Sequence, residues 1–323
     1  MAGTIMLNLI ILAAGFLILI YGATLLVDGS ASMAKKFNIP GIVIGLTIVA
    51  FGTSSPELVV NAAASFKGSS GIVLGNVLGS NIFNVLLILG ISAIICPLTV
   101  KSNTTWMEVP LSFISSLLVF ILASDIFIDG KSINSISRTE GIVLLFFFII
   151  FLAYNFNLMK KGSFDEEITI KDYTKLRSSI MIGAGIIMLG TGGSLIINSA
   201  VEVALMLGIS ERVIGLTIVS AGTSLPELAT SVAAAAKKNV DIAVGNIVGS
   251  NIFNVFFILG VSAVINPVDI AAGAELDMLI NIGASLLLFI FIFTGKGRKI
   301  DRFEGILFIT LYLSYLAAVL IIS

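Results

Sequence analysis

The chain has 323 residues, of which 57% are hydrophobic and only 11% are charged, and its net charge is −1. Soluble globular proteins carry about 25% charged residues, so this composition excludes an ordinary soluble domain and indicates that lipid surrounds most of the chain. The balanced charge also excludes a basic surface for nucleic acid. One cysteine and no histidine exclude an internal disulfide and the usual zinc and copper sites.

Ten apolar runs, each of about 20 residues and long enough to cross a bilayer as a helix, follow one another along the chain. They cover residues 5–27, 41–65, 71–95, 107–124, 141–158, 179–205, 213–236, 241–265, 276–294 and 304–322. The first run could be mistaken for a secretory signal, but no basic segment precedes it and its apolar stretch is too long. The sequence therefore predicts an all-α polytopic membrane protein with ten transmembrane helices.

Lysine and arginine are unequally distributed between the two sides that this layout creates. The loops after the odd-numbered spans hold 14 of the 18 basic residues, and the other side holds only Lys67, Lys131, Arg138 and Arg212. Loops rich in Lys and Arg stay in the cytoplasm. We therefore expect a multi-pass protein of the cell membrane with both termini extracellular and the linker 159–177 cytoplasmic.

The sequence repeats itself at an offset of 170 residues. Segments 45–100 and 215–270 share 31 identical residues in 56 aligned positions without a gap. Each half of the chain contains five predicted spans, and an odd number of spans reverses the direction in which the second half enters the membrane. We predict two inverted five-helix repeats, residues 1–158 and 178–323, joined by the linker 159–177.

Two glutamates occupy equivalent positions near the middle of the second and seventh predicted spans, Glu57 and Glu227. An acidic side chain at that depth costs about 2.5–3.5 kcal/mol on insertion scales. No lysine, arginine or histidine lies inside a predicted span, so each carboxyl group is either protonated, as a neutral structural acid, or binds an external cation. By contrast, Asp28 and its counterpart Asn198 lie at span ends, where we expect a solvated terminus or a local cap.

The residues before each glutamate favour the cation. A threonine lies four residues before each glutamate and a proline one residue before it: Thr53 and Pro56 in the first half, Thr223 and Pro226 in the second. Residues four apart share a helix face. Proline cannot donate to the carbonyl four residues earlier, so we expect each span to break and to expose carbonyl oxygens over 50–53 and 220–223. Carbonyl, hydroxyl and carboxylate oxygens are ligands for Ca²⁺ and Na⁺.

The next span of each half contains the motif GSNIFN, at residues 79–84 and 249–254. Its serine and its last asparagine are four residues apart and share a helix face, which pairs Ser80 with Asn84 and Ser250 with Asn254. These side chains either bind the ion or form hydrogen bonds between helices. Asn81 and Asn251 fall on another face, where we expect a structural role.

GTSSPE and GTSLPE, each followed by GSNIFN, resemble the two α-repeats of the cation/calcium exchanger superfamily, and most of all those of its prokaryotic sodium/calcium exchangers. The resemblance covers nearly the whole chain and places the α-repeats at 45–100 and 215–270. It implies that Glu57 and Glu227 hold Ca²⁺ and that backbone oxygens of two threonines complete the Ca²⁺ site. The further residues that it implies are Thr53 and Thr223 for Ca²⁺, Ser54, Ser80, Ser224, Ser250 and the carbonyls of Ala50 and Ser220 for Na⁺, and Asn84 and Asn254 as the central polar pair. In the superfamily's potassium-dependent branch an acid replaces the second asparagine, so Asn254 argues against K⁺ dependence.

Two carboxylates give an empty site two negative charges, which one Ca²⁺ or two Na⁺ neutralise. Because the same oxygens would hold either load, the loads exclude each other, which favours exchange over co-transport. A third Na⁺ would leave a positive charge and make the cycle electrogenic, at about 2.3 kcal/mol per charge per 100 mV. The resemblance also implies alternating access with the first and sixth spans sliding as the gate, and Gly15, Gly22, Gly185 and Gly192 fit such a contact.

Three other functions stay open at this point. A proton/calcium exchanger could use the same two glutamates as proton carriers, although the absence of histidine and the serine-rich flanks disfavour it. A cation channel would need a continuous pore, and an intramembrane enzyme would need access for a large substrate. We expect a transporter and no enzyme, with Ca²⁺ and Na⁺ as substrates, the lipid bilayer as surroundings, no cofactor, and neither nucleic acid nor an obligate protein as partner.

Overall fold

Ten helical segments follow one another in the computed structural model, which describes residues 2–100, 104–130, 132–161, 171–206, 220–271, 273–294 and 298–322. They are α1 (Ala2–Phe37), α2 (Gly41–Thr53 as α2a, Ser55–Phe66 as α2b), α3 (Ser70–Ile95), α4 (Trp106–Leu122), α5 (Arg138–Lys161), α6 (Lys175–Met206), α7 (Ser220–Thr223 as α7a, Leu225–Ala236 as α7b), α8 (Val240–Ile265), α9 (Ala274–Thr294) and α10 (Arg302–Ile322). A short helix, Asp125–Asp129, lies between α4 and α5.

Seven of these helices are individually long and apolar enough to cross a membrane, counted over the described residues: α1, α3, α5, α6, α8, α9 and α10. The two parts of α2 pass the same test together, with a bend of 49° between them, and α4 is a shorter apolar helix. The first residues of the predicted span 213–236 lie outside the described part of the chain. The predicted all-α, ten-helix layout is confirmed.

α1 is longer than its predicted span, which ended at residue 27. The apolar run ends there, but the helix continues to Phe37 because hydropathy marks the bilayer, whereas helix formation also tolerates the polar residues that follow. Asn38, with φ 52°, and Pro40 then end it. Asp28 therefore lies inside α1, where it forms an ion pair with Lys237 at 2.6 Å. The expectation that Asp28 lies at a solvated terminus or forms a local cap is wrong.

Two short antiparallel ribbons, which the sequence did not predict, join the two halves. Their strands are β1 (Leu98–Thr99), β2 (Ser135–Ile136), β3 (Val268–Asp269) and β4 (Lys299–Ile300), and β1 pairs with β4 while β2 pairs with β3. One ribbon connects the loops after α3 and α9, and the other connects the loops after α4 and α8. Loops of equal parity lie on the same side of the membrane, so both ribbons fit a chain that crosses ten times.

α3 and α8 form the centre of the protein. Within their most apolar windows 72% and 83% of the residues are buried, compared with 33% in α1 and α6 and 17% in α5 and α10. The last helix of each half packs against the third helix of the other half through facing glycines: Gly141 against Gly260, and Gly305 against Gly90. Small residues permit this close approach inside a membrane, where apolar burial alone gives no preference for helix over lipid.

α1 and α6 form an antiparallel pair at one side of this centre. Gly15 faces Gly192, and Gly22 faces Gly185, so closely that a Cβ added to Gly185 would lie 2.8 Å from the carbonyl oxygen of Gly22. The backbones of the two helices are therefore in direct contact. The four glycines that the sequence assigned to this interface are brought together.

Candidate ion-binding site

The helix breaks predicted beside the two glutamates are present in both halves. Ser54 interrupts α2 with φ −82° and ψ 8°, and Ser224 interrupts α7 with φ −88° and ψ 7°. The helix resumes with proline in its first turn, where the missing N–H costs nothing. Glu57 and Glu227 follow in the same first turn, so both carboxyl groups lie at the positive end of a helix dipole.

The breaks do not free every carbonyl that was expected to be exposed. The Ala50 carbonyl accepts a hydrogen bond from the Ser54 amide at 2.9 Å, and the Thr53 hydroxyl lies 3.3 Å from the same oxygen. The expectation of a free carbonyl at Ala50 is therefore wrong, because the chain turns at Ser54 and keeps this bond. Ser220 begins α7a at the equivalent position of the second half.

Each glutamate accepts a hydrogen bond from the serine at the helix break of the other half. Ser54 Oγ donates to Glu227 Oε1 at 2.7 Å, and Ser224 Oγ donates to Glu57 Oε1 at 3.1 Å. Both carboxyl groups are almost completely buried, with 2% of Glu57 and 1% of Glu227 exposed. The inverted repeat thus brings the two breaks together in one shared cluster.

The serines of the two GSNIFN motifs complete this cluster. The hydroxyls of Ser80 and Ser224 are 3.0 Å apart, and Ser250 Oγ lies 3.5 Å from Glu227 Oε1. All three serines are fully buried. Four of the sequence-predicted serines therefore lie around the carboxyl pair, two from the helix breaks and two from α3 and α8.

The last asparagines of the two motifs are held by the asparagines to which we assigned a structural role. Asn84 Nδ2 donates to Asn251 Oδ1 at 2.9 Å, and Asn254 Nδ2 donates to Asn81 Oδ1 at 3.0 Å. Each bond joins one half to the other. Because both amide nitrogens are engaged, the Oδ1 atoms of Asn84 and Asn254 are left to face another partner.

Both asparagines lie in π-helical turns, Phe83–Leu89 in α3 and Phe253–Leu259 in α8. A π-helical turn adds a residue to the helix and redirects the side chains on either side of it, and such turns are frequent at functional sites. The two turns occupy equivalent positions of the repeat. The hydropathy pattern of the sequence did not predict these π-helical turns.

Within this cluster, four buried oxygens have no hydrogen-bond partner among the described residues: Oε2 of Glu57 and of Glu227, and Oδ1 of Asn84 and of Asn254. No basic side chain among those residues pairs with either glutamate. Leaving a buried carboxylate oxygen without a partner costs several kcal/mol. Carboxylate and amide oxygens are hard donors, so the cluster is suited to a hard cation.

Two further asparagines belong to the cluster and were missed from the sequence. Asn246 Oδ1 lies 3.1 Å from Thr53 Oγ1, and Asn76 Oδ1 lies 3.2 Å from Thr223 Oγ1. Each asparagine precedes its motif serine by four residues in both halves, a repetition that could have identified them. They orient the threonines, because each contact joins a helix break of one half to the central helix of the other.

We expect Asn246→Leu to lower the thermal unfolding midpoint and to weaken Ca²⁺ binding. The change leaves the buried Thr53 hydroxyl and the Ser231 hydroxyl, which accepts from Asn246 Nδ2 at 2.9 Å, without their partner, at a cost of about 1–3 kcal/mol. Unfolding in detergent with and without Ca²⁺ measures both effects. Asn157→Leu on the exposed face of α5 is the matched control, and an equal effect of the two variants would contradict the assigned role.

Ten helices in two inverted halves, with broken helices meeting at a buried carboxyl pair, define a secondary transporter. The sequence profile described as sodium/calcium exchanger protein matches residues 7–157 and 177–321, and the chain belongs to this family. The sodium/calcium exchanger MaX1 of Methanosarcina acetivorans is 32% identical over 347 residues, covering 96% of this chain and 97% of MaX1.

The inner membrane protein YrbG of Escherichia coli is 37% identical over 269 residues, 80% of each chain. A solved structure of the sodium-calcium exchanger NCX_Mj, soaked with 2.5 mM Na⁺ and 0.1 mM Sr²⁺, superposes with a TM-score of 0.84 at 34% identity, covering 97% of this chain and 99% of that one. The similarity extends over the whole fold and includes both halves of the repeat.

Proposed function

We propose that this protein exchanges Na⁺ for Ca²⁺ across the cell membrane by alternating access, with one site that both ions share. The observation that carries the proposal is the set of four partnerless oxygens of Glu57, Glu227, Asn84 and Asn254 at the meeting point of the two halves. The protein is a transporter and not an enzyme. Its substrates are Ca²⁺ and Na⁺. It lies in the lipid bilayer and needs no cofactor and no protein partner.

Ca²⁺ is held by Glu57 and Glu227, with backbone oxygens of Thr53 and Thr223. The hydroxyls of both threonines are directed to asparagines, which supports a backbone role for these residues. The Na⁺ ligands are Ser54, Ser80, Ser224, Ser250 and the carbonyls of Ala50 and Ser220, with Asn84 and Asn254 between the two glutamates. Ala50 is the weakest member of this set, because the Ser54 amide already bonds to its carbonyl.

The charge of the two carboxylates determines how the transport of Na⁺ is coupled to that of Ca²⁺. Two ionised carboxylates attract either one Ca²⁺ or two Na⁺, and the serine hydroxyls on their flanks are further oxygen ligands for a third Na⁺. Exchange of three Na⁺ for one Ca²⁺ moves one net charge, which is worth about 2.3 kcal/mol per 100 mV. A membrane potential that is negative inside then favours Na⁺ entry and Ca²⁺ export.

The halves comprise residues 1–158 and 178–323, and the linker 159–177 lies in the cytoplasm together with 14 of the 18 basic residues. Both termini are then extracellular. The two repeats that build the site are residues 45–100 and 215–270.

Uptake of ⁴⁵Ca²⁺ into proteoliposomes loaded with Na⁺, diluted into Na⁺-free buffer with the pH clamped, tests this function. We expect uptake that requires internal Na⁺. With valinomycin present, an inward K⁺ gradient, which makes the interior positive, should raise uptake, and an outward K⁺ gradient, which makes the interior negative, should lower it. The reason is that three Na⁺ leaving for each Ca²⁺ that enters move one positive charge outward. Uptake driven by a pH gradient and indifferent to Na⁺ would establish the proton/calcium exchanger instead, and flux without counter-ion dependence would establish a channel.

A further inference from the structure

The two ends of the α1–α6 pair are packed differently. The second half of α1 lies along α7b, where Ala31, Ala34, Ala234 and Ala235 are all buried. The described residues of α6 and α2b, which are the repeat equivalents, form no comparable interface. Over the described residues, the structure is therefore closely packed on the side where α1 ends and where the basic loops lie, which we call the basic side, and less closely packed on the opposite side.

An ion pair joins the two elements that close the basic side. Lys237 Nζ, at the end of α7b, lies 2.6 Å from Asp28 Oδ1 of α1 and 3.4 Å from the carbonyl oxygen of Thr24. Lys171 of the linker lies 3.9 Å from the other carboxylate oxygen. The Asp28 and Lys237 side chains are only 18% and 35% exposed, so water screens this pair less than a pair on an open surface.

The repeat equivalents of these residues cannot form the same pair. Lys67 stands at the end of α2b as Lys237 stands at the end of α7b, and a lysine at either place is favoured by the helix dipole alone. Asn198 on α6 is the equivalent of Asp28, and it is exposed. At this position of the repeat a carboxylate is thus present in α1 and absent from α6, whose Glu202 lies one turn further along, although the lysine is present in both halves.

We propose that Asp28 and Lys237 form a latch that holds the basic side closed, and that the absence of a carboxylate at Asn198 makes the two faces of the exchanger unequal. The latch rests on the proposed alternating access, because it acts on the equilibrium between the two access states. Its charges are together only when α1 lies against α7b. An interaction made in one state alone shifts the population toward that state. The latch therefore weakens the apparent Ca²⁺ affinity at the basic side and tightens it at the other face.

Four variants test the latch without touching the ion site. Asp28→Asn removes it, Asn198→Asp offers a partner to Lys67 on the other side, and the double exchange Asp28→Asn with Asn198→Asp moves the carboxylate from one half to the other. Asp172→Asn is the matched control. It breaks the pair between Lys36 and Asp172, at 2.6 Å, which connects α1 with the segment leading into α6 and does not reach α7b.

The measurement is the apparent Ca²⁺ affinity at each face, from Na⁺-dependent ⁴⁵Ca²⁺ flux in proteoliposomes of defined orientation. We expect Asp28→Asn to tighten the apparent Ca²⁺ affinity at the basic side by about threefold and to weaken it at the other face. In the double exchange, the ratio of the affinities at the two faces should change by about tenfold. Asp172→Asn should leave the ratio unchanged.

The latch and the proposed function fail in different ways. A ratio that stays within about twofold in both Asp28→Asn and the double exchange, while Na⁺-dependent uptake persists, overturns the latch and leaves the exchanger intact. A shift in the unexpected direction overturns it equally. Loss of Na⁺ dependence in the unmodified protein would instead reject the proposed function. Monodisperse elution and an unchanged unfolding midpoint show that each variant compared is folded.

Discussion

Replacing Glu57 or Glu227 by glutamine is expected to abolish Na⁺-dependent Ca²⁺ uptake in a protein that still folds. Glutamine has nearly the same shape and keeps an oxygen for the serine that donates to each carboxylate, Ser224 or Ser54. The substitution removes the negative charge of the carboxylate. Two unit charges about 4 Å apart interact by about 4 kcal/mol at an effective dielectric constant of about 20, and Ca²⁺ carries two charges. The affinity should therefore fall by more than about a thousandfold.

The two substitutions should have similar effects, since each carboxylate accepts a hydrogen bond from the serine at the helix break of the other half. Isothermal titration with Ca²⁺ and ⁴⁵Ca²⁺ uptake measure the loss, and the unfolding midpoint checks the fold. We expect a midpoint that is unchanged or higher without Ca²⁺, because a buried charge without a partner is removed. Glu275→Gln on the exposed start of α9 is the matched control. Transport that survives either site substitution would remove that glutamate from the site.

The carboxyl pair could be predicted because the evidence for it is local and occurs twice. Glu57 and Glu227 lie in apolar runs, each follows a proline, and the gap-free repeat places them at equivalent positions. Inverting one half with respect to the other is enough to bring such positions together near an axis between the halves. The hydrogen bonds from Ser54 and Ser224 across that axis agree with this reasoning.

The parts that could not be predicted depend on contacts between distant segments. Asn246 meets Thr53 across 193 residues, and Lys237 meets Asp28 across 209, distances at which periodicity carries no information. The β1–β4 ribbon has two residues in each strand, too few for an alternating pattern to be recognised. Hydropathy misplaced the end of α1 because it reports the lipid boundary and not the helix.

Replacing Gly185 by valine is expected to lower the unfolding midpoint strongly and to stop transport. A Cβ at this position would lie 2.8 Å from the carbonyl oxygen of Gly22 and 2.8 Å from the amide nitrogen of Leu26. Both are backbone atoms of α1, which cannot rotate away as a flexible side chain can. The two helices must therefore separate, at a cost of about 1–3 kcal/mol in lost packing.

Gly183→Val on the same helix separates this effect from helix propensity, because a Cβ at Gly183 has no atom of another element within 4 Å. Both variants introduce the same β-branched side chain into α6, so only the contact with α1 differs between them. Thermal unfolding in detergent and Na⁺-dependent uptake should be normal for Gly183→Val. If Gly185→Val melts early but transports at the normal rate per folded molecule, the glycine contact stabilises the α1–α6 pair without taking part in its movement. Loss of transport by a folded Gly185→Val protein would place the smooth contact in the transport cycle itself.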